Sequence, residues 1–193
     1  MWCVWAITGG SSQAGVLMWC VWAMTGGDFT GWGAHVVHIG NDRGRVHRLG
    51  CSCETLRKYP SVPNLERMCT KEYEIPETDV TIDEGTLVMI PSYALHHDPE
   101  YFPDPEKFDP DRFSKENKNS FPQYTYLPFG EGPRICIGMR FGLMQVKVGL
   151  ATLLSKYEFS ICEKSSVPLI LAPVSPLTTA KDGIWLKISP RDS

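Results

Sequence analysis

The chain has no run of about 20 apolar residues, so no membrane-crossing helix is predicted from it. Its apolar start, MWCVWAITGG, is short and follows no basic stretch, so it does not read as a secretory leader. Charge of one sign is also missing. Lys and Arg number 19 against 22 Asp and Glu, a net charge of −3, and nothing favours nucleic acid as a partner. A disulfide framework is lacking too. The seven cysteines are Cys3, Cys20, Cys51, Cys53, Cys69, Cys136 and Cys162. An odd count, in a chain of 193 residues that is long enough for its own core, points to free thiols in a reduced, cytosol-facing compartment. Zinc spacing is absent as well. Cys51 and Cys53 have no second Cys or His pair, and His96 and His97 are adjacent instead of one helical turn apart.

Proline is missing from the first 50 residues, although the chain has 15. The same stretch holds ten of the 17 glycines and five of the six tryptophans, so composition breaks near residue 51. MWCVWAITGG at 1–10 recurs as MWCVWAMTGG at 18–27, and two copies are too few for a solenoid. Neither a helical nor a strand period gathers the tryptophans on one face. Residues 1–51 therefore read as unrelated sequence never selected to fold here, such as translated non-coding sequence, rather than as a Trp-rich interaction arm. Residues 52–193 form the folded region, and no site residue is expected before Ser52.

That region reads as mainly α with small β-sheets. CETLRKY at 53–59 forms the last turns of a helix that Pro60 stops. An irregular connector covers 60–72. Short strands follow within 73–91, with a turn at Asp83-Glu84-Gly85 and a buried strand at 86–90. Residues 92–102 make a short helical turn in which His96 and His97 are packing or surface residues, not ligands. Residues 103–135 hold six prolines and form a long loop, the kind that carries function in a compact domain. Tyr124 and Tyr126 pack within it. The clearest helix covers 137–157, with Phe141, Met144, Val148, Leu150, Ala151 and Leu154 as its apolar face. Strands at 168–171 and 184–188 follow, the second entered through a turn at Lys181-Asp182-Gly183.

Residues 129–138 read FGEGPRICIG. One thiol, Cys136, lies in a glycine-rich loop at the mouth of the clearest helix. Glycines let backbone approach a flat ligand closely. The positive helix end favours an anionic sulfur, and backbone donors tune a metal thiolate. Arg134, two positions earlier, can pair with an anionic group of the same ligand. Far upstream, Glu54 and Arg57 stand three apart on one helix face and can pair.

The run Phe129-x-x-Gly132-x-Arg134-x-Cys136-x-Gly138 resembles the haem-ligand signature of the cytochromes P450 at every fixed position. Glu54 and Arg57 resemble that family's Glu-x-x-Arg. FDPDRF at 108–113 is similar to its Pro-Glu-Arg-Phe motif, with Asp111 where Glu is usual. The resemblance covers 53–190 and looks most like microsomal insect detoxification enzymes. It implies Cys136 as the catalytic axial thiolate of haem b iron, with Arg134, Arg67, Phe129, Gly130 and Gly138 around the cofactor. Phe129 would shield the thiolate from water, and Arg67 would reach a haem propionate. Glu54, Arg57 and Arg112 would form a structural triad that locks the long loop to the core. The implied activity inserts one oxygen atom of O2 into a lipophilic small molecule, with electrons from NADPH through cytochrome P450 reductase. The segments at 61–65 and 174–178 would border the substrate. The implied place is the cytosolic face of the endoplasmic reticulum membrane, with membrane association expected of the complete enzyme. The chain is expected to be the carboxy-terminal third of the fold, without the anchor or the oxygen-side helix. A fragment without turnover and a haem-binding module are the other readings.

Overall fold

The computed structural model describes residues 2–5, 43–117, 120–173 and 175–191. Helix α1 spans Arg43–Lys58. It stops as expected: Tyr59 N–H closes on the Thr55 carbonyl at 2.8 Å, and Pro60 then forbids a further turn. The helix starts upstream of the composition break, which therefore falls inside an element. A Cβ at Gly50 would stand 2.5 Å from the Pro110 carbonyl oxygen, so a glycine is what lets α1 lie against the 3-10 turn Pro110–Phe113. From Cys51 to Pro60 every residue except Cys53 is buried.

Strands β2, Leu65–Met68, and β5, Leu87–Ile90, pair antiparallel, with Leu65 opposite Ile90 and Met68 opposite Leu87. Strands β3, Tyr73–Glu74, and β4, Thr81–Ile82, form a second small hairpin. The strand expected to be buried at 86–90 is buried on neither side throughout. Leu87 and Met89 are exposed while Val88 and Ile90 are half-buried, as a two-stranded ribbon with one covered face requires. Helix α2, Ser92–His96, follows at once.

Helix α3 spans Met139–Lys156. It buries Val146, Leu150 and Leu154. The expected apolar face is corrected here: Phe141, Met144 and Val148 are 54, 54 and 61 % exposed, and Ala151 is exposed. At about 100° per residue, Phe141 and Leu150 lie on opposite sides of a helix, so the sequence pattern had merged two faces. Val146, Leu150 and Leu154 join Cys51, Tyr59, Phe108, Ala180, Ile184 and Leu186 in the core. The chain then turns directly into β6, Tyr157–Ser160, which sequence reasoning had missed. Strand β7, Trp185–Pro190, lies between β6 and β1, Trp2–Trp5, in an antiparallel sheet. The strand expected at 168–171 is reduced to a single bridge, Leu171 to Ala180, because Pro168 and Pro173 lack the N–H a ladder needs. β1 comes from the segment expected to stand apart, and it pairs from Trp2 opposite Ile188 to Trp5 opposite Trp185. The rest of that segment up to residue 42, with the second copy of the duplication, lies outside the described residues.

Candidate functional site

The structure brings Glu54, Arg57 and Arg112 together. Glu54 and Arg57 are both 0 % exposed. Arg57 meets the Glu54 carboxylate in a fork, Nε to Oε2 and Nη2 to Oε1, each at 2.8 Å. Its remaining donors are also used. Nη1 reaches the His96 carbonyl at 2.7 Å, and Nη2 reaches that of Pro105 at 2.7 Å. Glu54 Oε1 accepts Asp109 N–H at 3.0 Å. Arg112 arrives on the 3-10 turn, whose Asp109 side chain accepts Asp111 N–H. Its Nε lies 3.6 Å from Glu54 Oε1, an ion-pair distance too long for a hydrogen bond, and that Nε has no hydrogen-bond partner among the described residues. Its Nη2 donates to the Asp104 carbonyl at 3.0 Å. Burying a carboxylate is tolerable only when its oxygens are met this fully. The outcome is that one helix end pins the last residue of α2 and residues 105 and 109 of the irregular stretch beyond it.

Aromatic rings seal the same region. Phe113 and Tyr126 lie 4.7 Å apart, and Phe102 and Phe121 5.2 Å. Tyr126 packs as expected and donates its hydroxyl to the Cys53 carbonyl at 2.9 Å. Tyr124 does not pack: it is exposed, at φ 69°, inside the turn that Thr125 N–H closes on the Pro122 carbonyl. His97 stacks on Tyr93 at 4.1 Å. His96 was expected as a packing or surface residue. It is fully buried, with both ring nitrogens bonded, and no residue spacing around it signals that role.

The cysteine loop is built differently. Gly130 has φ 72° and Gly132 φ 78°, conformations that favour glycine. Glu131 caps the second 3-10 turn, Gly132–Arg134, by accepting Gly132 N–H. Phe129 is half-buried, and its carbonyl accepts Cys136 N–H at 2.9 Å. Gly138 stands at the N-terminus of α3, where a Cβ would lie 3.9 Å from Cys136 Sγ. Cys136 and Arg134 are both exposed. Arg67 projects from β2 toward this loop: a Cβ on Gly130 would lie 3.7 Å from Arg67 Nη2 and 3.9 Å from Leu65 Cδ1. Thus Arg67, Phe129, Gly130, Arg134, Cys136 and Gly138 belong to one neighbourhood, while Glu54, Arg57 and Arg112 form a separate buried one. Thr178 joins residues of the two expected border segments, donating its N–H to the Ser61 carbonyl at 3.1 Å. Val174 lies outside the described residues. No helix among the described residues is long and apolar enough to cross a membrane.

Comparison with known proteins places this geometry in context. A family model described as Cytochrome P450 matches residues 51–187. The chain is similar to probable cytochrome P450 6a14 of Drosophila melanogaster, 53 % identical over 136 residues. It is 52 % identical over 136 residues to cytochrome P450 6j1 of Blattella germanica. It is 50 % identical over 140 residues to cytochrome P450 3A11 of Mus musculus. These alignments take in 70, 70 and 72 % of this chain but 26, 27 and 27 % of the relatives. The chain therefore spans about a quarter of the length of the curated relatives it matches.

Proposed function

Since the chain belongs to the cytochrome P450 family, whose members are haem-dependent monooxygenases, we propose that its own part in that chemistry is to hold haem b iron through Cys136. The observation that carries this reading is the exposed Cys136 thiol in a glycine-rich loop flanked by Arg134 and Arg67. The donor set fits the group. Among the described residues no group of three or more His, Cys, Asp or Glu is placed to hold a metal ion. A single thiolate suits iron that a macrocycle already holds.

Each residue then has a role. Cys136 would supply the sulfur ligand. Arg134 and Arg67 would pair with the anionic groups of the cofactor. Gly130 and Gly138 leave room for close approach, and half-buried Phe129 would shield the now exposed sulfur once the group is bound. Glu54, Arg57 and Arg112 hold the long loop and touch no reacting atom. When bound, haem supplies oxygen activation and insertion of one oxygen atom into a C–H bond. The substrate is proposed to be lipophilic and bordered by residues 61–65 and 175–178. NADPH-cytochrome P450 reductase is the proposed electron donor, and the cytosolic face of the endoplasmic reticulum the proposed place.

The matched region is proposed to be a carboxy-terminal part of the family fold, about a quarter of the relatives' length and not the expected third. The family match starts at residue 51, within α1, so the proposed boundary with unrelated sequence lies inside a continuous helix. One observation favours a second reading, haem binding without turnover. Ile137, Phe141, Met144 and Val148 form an exposed apolar face on and beside α3, which an enzyme would need to cover. Titration with haem, followed by reduction under carbon monoxide, tests the site. The red-shifted Soret band of thiolate ligation is the expected result, and an imidazole-type or free-haem band refutes it. Turnover with NADPH and reductase separates the two readings.

A further inference from the structure

His96 plays no part in the roles above, yet it joins the two neighbourhoods. Its Nε2 lies 2.8 Å from Leu127 N, and its Nδ1 lies 3.1 Å from the Arg57 carbonyl oxygen. A backbone N–H only donates, so Nε2 accepts and Nδ1 carries the proton. Burial pushes the imidazole pKa down to about 4; the bond to the Arg57 carbonyl opposes this, and the Arg57 and His97 charges reinforce it. The ring is therefore neutral in the form this bonding needs. Arg57 answers by donating to the His96 carbonyl at 2.7 Å, which makes the contact a two-way clasp. Beyond Leu127 the bonding runs on into the cysteine loop. The Leu127 carbonyl accepts Gly130 N–H at 3.2 Å, and the Phe129 carbonyl accepts Cys136 N–H at 2.9 Å.

We propose that His96 is a positioning residue for the cysteine loop, holding Leu127 to the end of α1 and so fixing where Phe129 and Cys136 stand. Its consequence for iron rests on the haem–thiolate reading of Cys136, but the clasp itself does not. Packing alone is the competing account, since the Tyr126 ring lies 5.4 Å away and that of Phe102 6.3 Å.

Two amides separate these accounts. In His96→Asn the side-chain N–H sits near the Nδ1 position, so donation to Arg57 survives and acceptance from Leu127 is lost. In His96→Gln the longer side chain carries its oxygen to the depth of Nε2, so the Leu127 bond survives. Amide exchange of the full 193-residue chain, read peptide by peptide, is the test. The Asn variant is expected to exchange about tenfold faster or more across residues 126–136, with α3 and β7 unchanged. The Gln variant is expected to match the parent there. Equal behaviour of the two variants, or a uniform rise over the whole chain, overturns the proposal. If neither variant folds, ring nitrogen resonances of the parent decide: a neutral ring protonated on Nδ1 supports the clasp, and protonation on Nε2 refutes it. Hemin titration of the same samples should weaken for Asn and not for Gln. A parent chain that shows the exchange pattern but binds no hemin would keep the clasp and refute the haem reading.

Discussion

The two neighbourhoods differ in what encloses them. Around Glu54 and Arg57 the charges are wholly buried and nearly every polar atom has a partner. Around Cys136 the backbone is held by a few bonds, while the thiol and Arg134 face solvent. The first arrangement resists change and offers no reactive atom to a ligand. The second offers a nucleophilic sulfur and leaves its surroundings adjustable. Such a division is what a cofactor site needs: rigid support on one side and an open ligand on the other.

The contrast breaks most visibly at the buried pair. Glu54→Ala leaves Arg57 charged and unmatched in the interior, as Arg57→Ala does for Glu54. Either is expected to cost about 3–5 kcal/mol, read by chemical denaturation. Haem incorporation should fail with it. A variant that takes up haem normally and loses only turnover would show that the cluster is not structural.

His96 gives the next effect, and it has a sign. Its folded pKa, about 4, lies below the ordinary value of 6.5. Between those values the unfolded chain binds the extra proton, so stability is fully present above pH 6.5 and is lost as pH falls through 4. The difference is about 3 kcal/mol at 1.36 kcal/mol per unit. His97 is shifted the same way by burial, so the comparison must be with His96→Gln, whose stability should fall less steeply over that window. Identical slopes for parent and variant would place the titration elsewhere.

These two residues also show how far the sequence could be read. Helical spacing puts Glu54 and Arg57 on one face, but spacing alone reads as a solvated pair, and only the resemblance pointed to a buried one. The cysteine loop was singled out by its glycine-rich run and its resemblance to the family signature, whereas the positive φ of Gly130 and Gly132 came only with the structure. Arg67 was assigned by resemblance, and its approach to Gly130 needed the β2–β5 register. His96 was not legible as a clasp. Its partners are backbone groups 39 and 31 residues away, and a bond to backbone leaves no residue type to recognise. The same limit hid the two faces of α3: periodicity shows which positions are apolar, but contact with Cys51 or Ile184 decides which side is covered.

A smaller effect is expected at the glycine beside Arg67. Gly130→Ala meets only ordinary van der Waals contacts, with Arg67 Nη2 at 3.7 Å and Leu65 Cδ1 at 3.9 Å. The penalty is therefore conformational, about 1–2 kcal/mol for a non-glycine residue at φ 72°. A lowered denaturation midpoint with unchanged β2–β5 amide protection is the expected pattern. Loss of that protection would mean that the loop supports the hairpin, reversing the order assumed here.

The smallest effect on stability is expected at the residue proposed to ligate iron. Cys136 is exposed, and the bonds it makes use its backbone N–H and carbonyl, to Phe129 and Met139. Cys136→Ser keeps both, so stability should change by no more than about 0.5 kcal/mol. The thiolate-type Soret band should nevertheless vanish, because a hydroxyl is a poor axial donor for this iron chemistry. Serine at Cys51, Cys53, Cys69 or Cys162 should do the reverse. Cys51 is buried in the core, so its replacement costs stability, while the band persists in any protein that still folds. If the Cys136→Ser protein kept the band and one of the others lost it, the open loop would not be the ligand site, and the division between a supporting cluster and a ligating loop would have to be redrawn around that other thiol.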